Sequence, residues 1–212
     1  MKGITFGEYH SYDDLNLILK SKEIGSPPVK EKKIEVEGAD GDLDLTGFFG
    51  EVKYSNVRHK FNFSTLVAPS EFLTLFSKVK NAIHGRKMRI VLDDDPHFYY
   101  YGRLHVSNFT NEKNIGIISV ECDCEPYKLK LEQTVLRKTV NGSEIVTLTN
   151  SRKRAVPTIT TTASMTLAFG GGSWTANAGT FRIPELELTE GENVITVTGS
   201  GTITFTWQEG EL

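Results

Sequence analysis

The sequence predicts a mainly β protein with a single α-helix, built as an N-terminal domain over residues 1–130 and a C-terminal β-sandwich or jelly roll over residues 131–212. Three observations predict it. Val57 to Val67 alternates apolar and polar side chains with a period of two, the pattern of a half-buried strand. One stretch only, Phe72 to Ile83, carries apolar residues at helical spacing. After Tyr127 the text turns to Thr, Gly and Val in short runs, and no Asp follows Asp123. A change of composition beside Pro126 places the domain boundary between about Pro126 and Val135.

The elements follow in chain order. Ser26 to Lys33 holds two prolines, then Lys30, Glu31, Lys32 and Lys33, and reads as an extended arm; Pro27, Pro28, Lys30 and Lys32 are its candidate inter-subunit contacts. In the Val57–Val67 strand, Val57, His59, Phe61, Phe63, Thr65 and Val67 point to one face, with Arg58, Lys60, Asn62 and Ser64 on the other. The helix spans about 70–84. Ser70 is its expected N-cap, Glu71 favours the first turn, and Gly85 ends it. Met88–Leu92 and Phe98–Arg103 read as strands joined at Asp93-Asp94-Asp95-Pro96, a turn by its Asp and Pro content. Ile115–Cys124 is a further strand.

In the C-terminal half, Asn141-Gly142 between Val135–Val140 and Glu144–Thr149 is a strong hairpin signal. Ile159, Met165–Leu167, Phe181–Ile183, Leu186–Leu188, Val194–Val197 and Ile203–Phe205 are the remaining expected strands. Several short strands at this spacing indicate a sandwich.

Composition excludes several classes of function. A net charge of −3 over 212 residues gives no basic field for nucleic acid backbones. The N-terminus lacks the basic start and apolar run of a signal peptide, and no run of about 18 apolar residues exists, so a cytosolic product without membrane insertion is expected. The two cysteines, Cys122 and Cys124, form neither a disulfide framework nor a zinc pattern. On a strand they share one face and read as small buried residues.

Chemistry is sparse. Asp40, Asp42, Asp44 and Glu51 match part of a calcium loop, but Leu45 stands where the loop requires Gly. Asp93, Asp94 and Asp95 read as a solvated hairpin tip rather than a cation site, since successive side chains diverge. The five histidines fit no hydrolase motif, and His59 on an apolar face reads as a core or interface residue. Gly170 to Gly172 lead into no phosphate-binding helix. Phe98 to Tyr101 put two aromatics on each strand face, and Arg152-Lys153-Arg154 reads as a solvated linker. No catalytic, metal or cofactor site is expected.

Several strings, in order, resemble the distal tail protein family of long-tailed phages and prophages. They are Tyr12-Asp13-Asp14-Leu15-Asn16-Leu17, then Gly41-Asp42-Leu43-Asp44-Leu45-Thr46 leading to Tyr54, Asn56 and Arg58. Asn81-Ala82-Ile83-His84-Gly85-Arg86, Ile90 to Pro96, Phe98 to Gly102 and Cys122 to Lys128 follow. Arg154 to Ile159 and Leu188 to Asn193 extend the likeness weakly into the C-terminal half.

The resemblance implies an N-terminal domain of β-sandwich or split-barrel-like fold and a galectin-like C-terminal module. It implies a homo-hexameric ring with a DNA channel, set between the major tail tube protein and the tail-associated protein, with receptor-binding proteins held by outer modules in part of the family. The place implied is the virion tail tip, assembled in the bacterial host cytoplasm. On this reading Arg58, Lys60, Asp93, Asp94 and Asp95 are candidate ring-interface residues. The alternative is an adhesion module recognising cell-wall sugar, in which Trp174 and Trp207 would stack on a sugar ring; as core or rim residues they need no such role.

Overall fold

The computed structural model describes residues 2–48, 50–112 and 114–212. The chain divides into two compact units, one ending at Lys128 and including Leu212, the other running from Leu129 to Glu211. Both are mainly β.

The strands of the first unit are β1 (Ile4–Phe6), β2 (Tyr9–His10), β3 (Leu17–Ile24), β4 (Lys33–Glu35), β5 (Asp42–Asp44), β6 (Val57–Thr65), β7 (Lys87–Leu92), β8 (Asp95–Glu112) and β9 (Ile115–Cys124). Seven of them form one antiparallel path, β2-β1-β7-β8-β9-β6-β3. β6 shows why: Val57, His59, Phe61 and Phe63 are buried while Arg58 and Lys60 are exposed. The Phe6 ring meets Phe61 and Phe63 edge-on at 6.2 and 6.1 Å, an arrangement that favours the aromatic quadrupoles. Cys122 and Cys124 lie fully buried on one face of β9, as their spacing requires.

The helix α1 (Phe72–Ile83) presents Phe72, Leu75, Val79, Ala82 and Ile83 to the interior. Its start differs from the sequence expectation. Pro69–Glu71 form a 3-10 turn, Glu71 precedes the helix, and Ser70 makes no capping bond. Pro69 pre-sets φ for the tight turn, so the chain enters helical geometry before Ser70 can cap it. Gly85 follows with φ of 75°, where glycine carries no penalty.

The second unit contains β11 (Thr134–Asn150), β12 (Thr158–Thr161), β13 (Met165–Phe169), β14 (Gly172–Ala176), β15 (Gly179–Phe181), β16 (Gly191–Trp207) and β17 (Gly210–Glu211), while β10 (Lys128–Lys130) spans the boundary. Here the Asn141-Gly142 expectation is overturned. β11 runs unbroken through it and pairs residue by residue with β16, Asn141 facing Ser200 and Gly142 facing Gly199. A type I′ hairpin needs positive φ at both central residues, whereas Asn16 is the one non-glycine with positive φ among the described residues. The Gly199-Ser200-Gly201 break is likewise no turn. It is where β16 changes partner, from β13 along Thr196–Gly199 to β12 along Ile203–Thr206. Gly199 and Gly201 hold φ of 153° and 146° there, so the strand changes neighbour at a glycine corner within one six-stranded sheet.

Ile159, Leu167, Ile195, Val197, Ile203 and Phe205 fill the core of this unit. Leu186 and Leu188 are buried as expected but form no strand: Leu188 makes a single bridge to Ala155, and the Leu186 N–H bonds to the Ile183 carbonyl. Gly170 and Gly171, both at positive φ, close a β13–β14 hairpin that the sequence reading did not anticipate.

The two units give a direct expectation for limited proteolysis of the native chain. Cleavage near 126–135 is expected to leave a stable C-terminal fragment, visible as a resistant band with the mass of residues from about Leu129 onward. Degradation of both halves together, without such a band, would count against independent domains.

Candidate assembly interface

The outer face of the first unit's sheet carries charge in columns. β9 bears Glu121 and Asp123, and Glu125 follows its end; on either side stand cations of β6 and β8. Across one row Lys87, Arg103, Asp123 and Arg58 are successive cross-strand neighbours; across the next, His105, Glu121, Lys60 and Glu23. Arg58 reaches Glu121 at 3.5 Å with its side chain 72% exposed, and Lys87 holds Glu125 at 2.8 Å. The Glu125 hydrogen bond raises the Lys87 ammonium above its ordinary value. Arg89 lies over the Tyr99 ring and Lys87 over Tyr101, each at 4.7 Å. Exposed pairs of this kind add little to stability singly, yet they fix a patterned, water-facing surface in which the acidic side chains of β9 are flanked by cations of the neighbouring strands.

Asp93, Asp94 and Asp95 behave differently from a solvated tip. The Asp93 carboxylate accepts from the Gly3 N–H at 2.6 Å and meets His10 Nε2 at 3.2 Å. Asp94 pairs with Lys22, whose hydrogen bond lowers its pKa. Asp95 accepts from Lys128 Nζ at 2.9 Å. The divergence of consecutive side chains, expected from the sequence, sends three carboxylates to three separate partners within the unit. β8 also begins at Asp95, so the turn is shorter than Asp93–Pro96.

The arm is longer than Ser26–Lys33. It leaves after β3 and returns before β6, with Pro27 half-buried and Pro28, Lys30 and Lys32 exposed. Its two legs are tied at Val29–Tyr54, by Ser55 N–H to Pro28 O at 2.8 Å and by Lys30 N–H to Lys53 O at 2.8 Å. Further out, β4 and β5 form a two-stranded ribbon that uses Asp42 and Asp44 as strand residues. Asp44 accepts from Thr46, which lowers its pKa. Among the described residues no group of three or more His, Cys, Asp or Glu is placed to hold a metal. Val29, Ile34, Val36, Leu43 and Phe48 are exposed along the arm, Phe48 by 72%.

The sugar-stacking candidates fare unequally. Trp207 is 3% exposed and part of the second core, so it offers no open face. Trp174 is half-buried against the same core, its ring packed over Gly172. No helix among the described residues is long and apolar enough to cross a membrane.

Two features gave no signal in the sequence. One is a pocket beside His59. The other is Glu209, buried and bonded to Lys130, Thr134 and Ser151. Both depend on contacts between distant segments.

No family model and no curated protein match the sequence. Among solved structures the chain is similar to the SPP1 Dit (gp 19.1) protein, described as a paradigm of the hub adsorption apparatus in phages infecting Gram-positive bacteria. The TM-score is 0.72 at 14% identity, over 100% of each chain. Across its whole length, the chain has the fold of that phage hub protein.

Proposed function

We propose that the chain is a structural component of a long non-contractile phage tail tip. It forms a hexameric ring that joins the tail tube to the tail-associated and receptor-binding apparatus and leaves a channel for DNA, without catalysis or an obligatory cofactor. The observation that carries this reading is the full-length likeness to a phage hub protein, found in a chain whose sequence strings independently resemble distal tail proteins. Physical features support it. The main sheet of the first unit is an open path ending at β2 and β3, and ring closure removes exposed sheet edges that otherwise template aggregation. The exposed apolar arm suits contact with a neighbour. A net charge of −3 suits a conduit that does not grip DNA. The partners on this reading are further copies of the chain, the major tail tube protein, the tail-associated protein and receptor-binding proteins, at a virion tail tip assembled in the host cytoplasm. A map of an assembled tail tip tests it: this chain should occupy a six-fold ring below the tube. Its absence from the ring, or a ring of another order, would sink the proposal.

Arg58 and Lys60 give a second, residue-level test. Because both already face Glu121, Asp123 and Glu23 within the sheet, the double change R58E/K60E perturbs the chain itself as well as any neighbour. The expected result is an assembly constant lowered about tenfold or more by like-charge repulsion. The melting temperature should fall by only a few degrees, about what exposed pairs contribute. Adding E121K restores the opposite-charge contacts at position 121, though not those at Asp123 and Glu23, and should recover part of the stability but not assembly. Recovery of both would assign the two cations a purely internal role.

A further inference from the structure

The sheet of the second unit has one long free edge. β11 pairs along its whole length with β16 on one side, and among the described residues no strand pairs with its other side. From Leu136 to Val146 no backbone hydrogen bond outside that ladder is made among the described residues. A free edge of this length is a template for another strand, and proteins guard such edges with inward-pointing charges, lysine above all. β11 has one: Lys138 falls in phase with the buried Val140, Val146 and Leu148, yet is exposed. The half-buried Glu144 falls in the same phase, and neither charge is ion-paired among the described residues. The two have opposite sign and stand three residues before and three residues after Asn141. A guarded edge needs no such balance, since like charges would keep a second strand away better.

Balance about one residue is what pairing with an identical strand requires. In antiparallel pairing about a two-fold axis at Asn141, that residue faces itself, and Lys138 faces Glu144 on both sides of the axis. Leu136 then faces Val146, so core-side residues meet core-side residues, as a continued sheet demands. A shift of one residue would set core-side against outward side chains. A shift of two would take each charge away from the other. On the outward face, Val135 and Ile145 are 60% and 68% exposed. Val194, paired with Thr147, is 53% exposed on that face. In the same register Ile145 of one copy lies diagonally across from Val135 of the other, within reach of large side chains. We propose that the free edge of β11 pairs antiparallel with β11 of a second copy of this chain, about a two-fold axis at Asn141, with Lys138 against Glu144. Leu136 to Val146 then supplies about ten main-chain hydrogen bonds. A ring closed head to tail makes no such two-fold contact, so the pairing joins the chain to a copy outside its own ring.

The test is disulfide trapping in the full-length chain, whose own Cys122 and Cys124 are buried. Facing Cα atoms of an antiparallel pair lie about 4.5–5.5 Å apart, within the span of a disulfide. Under mild oxidation Asn141→Cys is expected to give a covalent pair on a non-reducing gel. Thr139→Cys is the control: in this register it lies more than about 12 Å from its own copy and should give none. In the Asn141→Cys chain, Lys138→Glu or Glu144→Lys sets like charges face to face twice, and each should lower the yield at least about tenfold. An equal mixture of the two single variants is expected to restore it, because every introduced charge then meets its opposite in the other chain. Light scattering of Lys138→Glu and Glu144→Lys without the cysteine, separate and mixed, repeats the comparison, and thermal melts check that each variant folds. Folded Asn141→Cys that cross-links no better than Thr139→Cys overturns the proposal. So do single charge variants that pair as before, or a mixture no better than its components, which would mean an edge that is guarded or taken by a different partner. None of these readouts depends on ring order, which the tail-tip map tests separately.

Discussion

Replacing residues 30–53 by an Asn-Gly turn is expected to abolish ring assembly while the melting temperature of the chain stays within about 4 °C of the wild type. The design follows from the way the arm is built. Its legs meet at the Val29–Tyr54 bridge, and a two-residue turn can close a hairpin at that rung. The walls Pro27 and Tyr54 of the His59 pocket are kept. Little of the fold is lost, because the core of the first unit draws on Leu17 and then on Val57, with no buried core residue between them among the described residues. What is lost is the exposed row of Ile34, Val36, Leu43 and Phe48, apolar surface that is stabilising only once another surface covers it. Light scattering of the variant, alone and mixed with the neighbouring tail-tip proteins, measures the assembly; calorimetry measures the fold. A collapse of thermal stability would show that the arm belongs to the core. Unchanged assembly would show that it holds no neighbour.

The local elements of this fold were legible where side-chain period and burial coincide. β6, α1 and β9 are such segments: each has one face in the core, so apolar spacing reports geometry directly. β9 begins and ends at the residues the alternation indicates, Ile115 and Cys124. The C-terminal ribbon shows the limit. Asn141-Gly142 is a good local turn, yet β11 continues because every residue from Thr134 to Asn150 finds a partner in β16; seventeen residues of ladder outweigh a two-residue preference. β3 shows no alternation because burial falls steadily along it, from Leu17 through the half-buried Ile18 and Leu19 to five exposed residues. The arm showed its prolines and charges but not its length, since the returning leg carries no comparable punctuation.

The candidate surfaces were legible only in part, and for a related reason. Arg58 and Lys60 stand out on an alternating strand, and their exposure is a matter of period. Their neighbours Glu121, Asp123 and Glu23 come from two other strands, so the charge rows exist only once the register is known. The acidic triplet illustrates the converse: its sequence suggests one shared site, while the backbone distributes Asp93, Asp94 and Asp95 to Gly3, Lys22 and Lys128. His59 was visible as a histidine on an apolar face, but the N–H that its Nδ1 accepts comes from Gly25, at the adjoining strand's end.

Lys130→Met is expected to destabilise the second unit by about 2–3 kcal/mol at pH 7, less than the roughly 3–5 kcal/mol for removing one partner of a fully buried ion pair, because Lys130 is itself partly solvated. Glu209 is 6% exposed. Its carboxylate accepts from Lys130 Nζ at 2.5 Å, Ser151 Oγ at 2.6 Å and the Thr134 hydroxyl, tying the chain end to the strand start and to the loop after β11. Burial alone would push this carboxyl upward, but the bonds from Lys130, Ser151 and Thr134 outweigh it and hold the pKa below the ordinary value. A carboxylate depressed in the folded state contributes stability above its unfolded pKa of about 4.3 and loses it as pH falls through the folded value. Removing the Lys130 charge removes much of that depression, so the variant gives up the contribution at higher pH. Denaturant melts should therefore show a gap between wild type and variant that is full at pH 7 and narrows below about pH 4.5. The further change E209Q should recover part of the loss, because a neutral amide costs less to bury without a cation than a carboxylate does. A gap of the same size at both pH values would point to lost side-chain packing of Lys130, and the ion pair would then contribute nothing of its own.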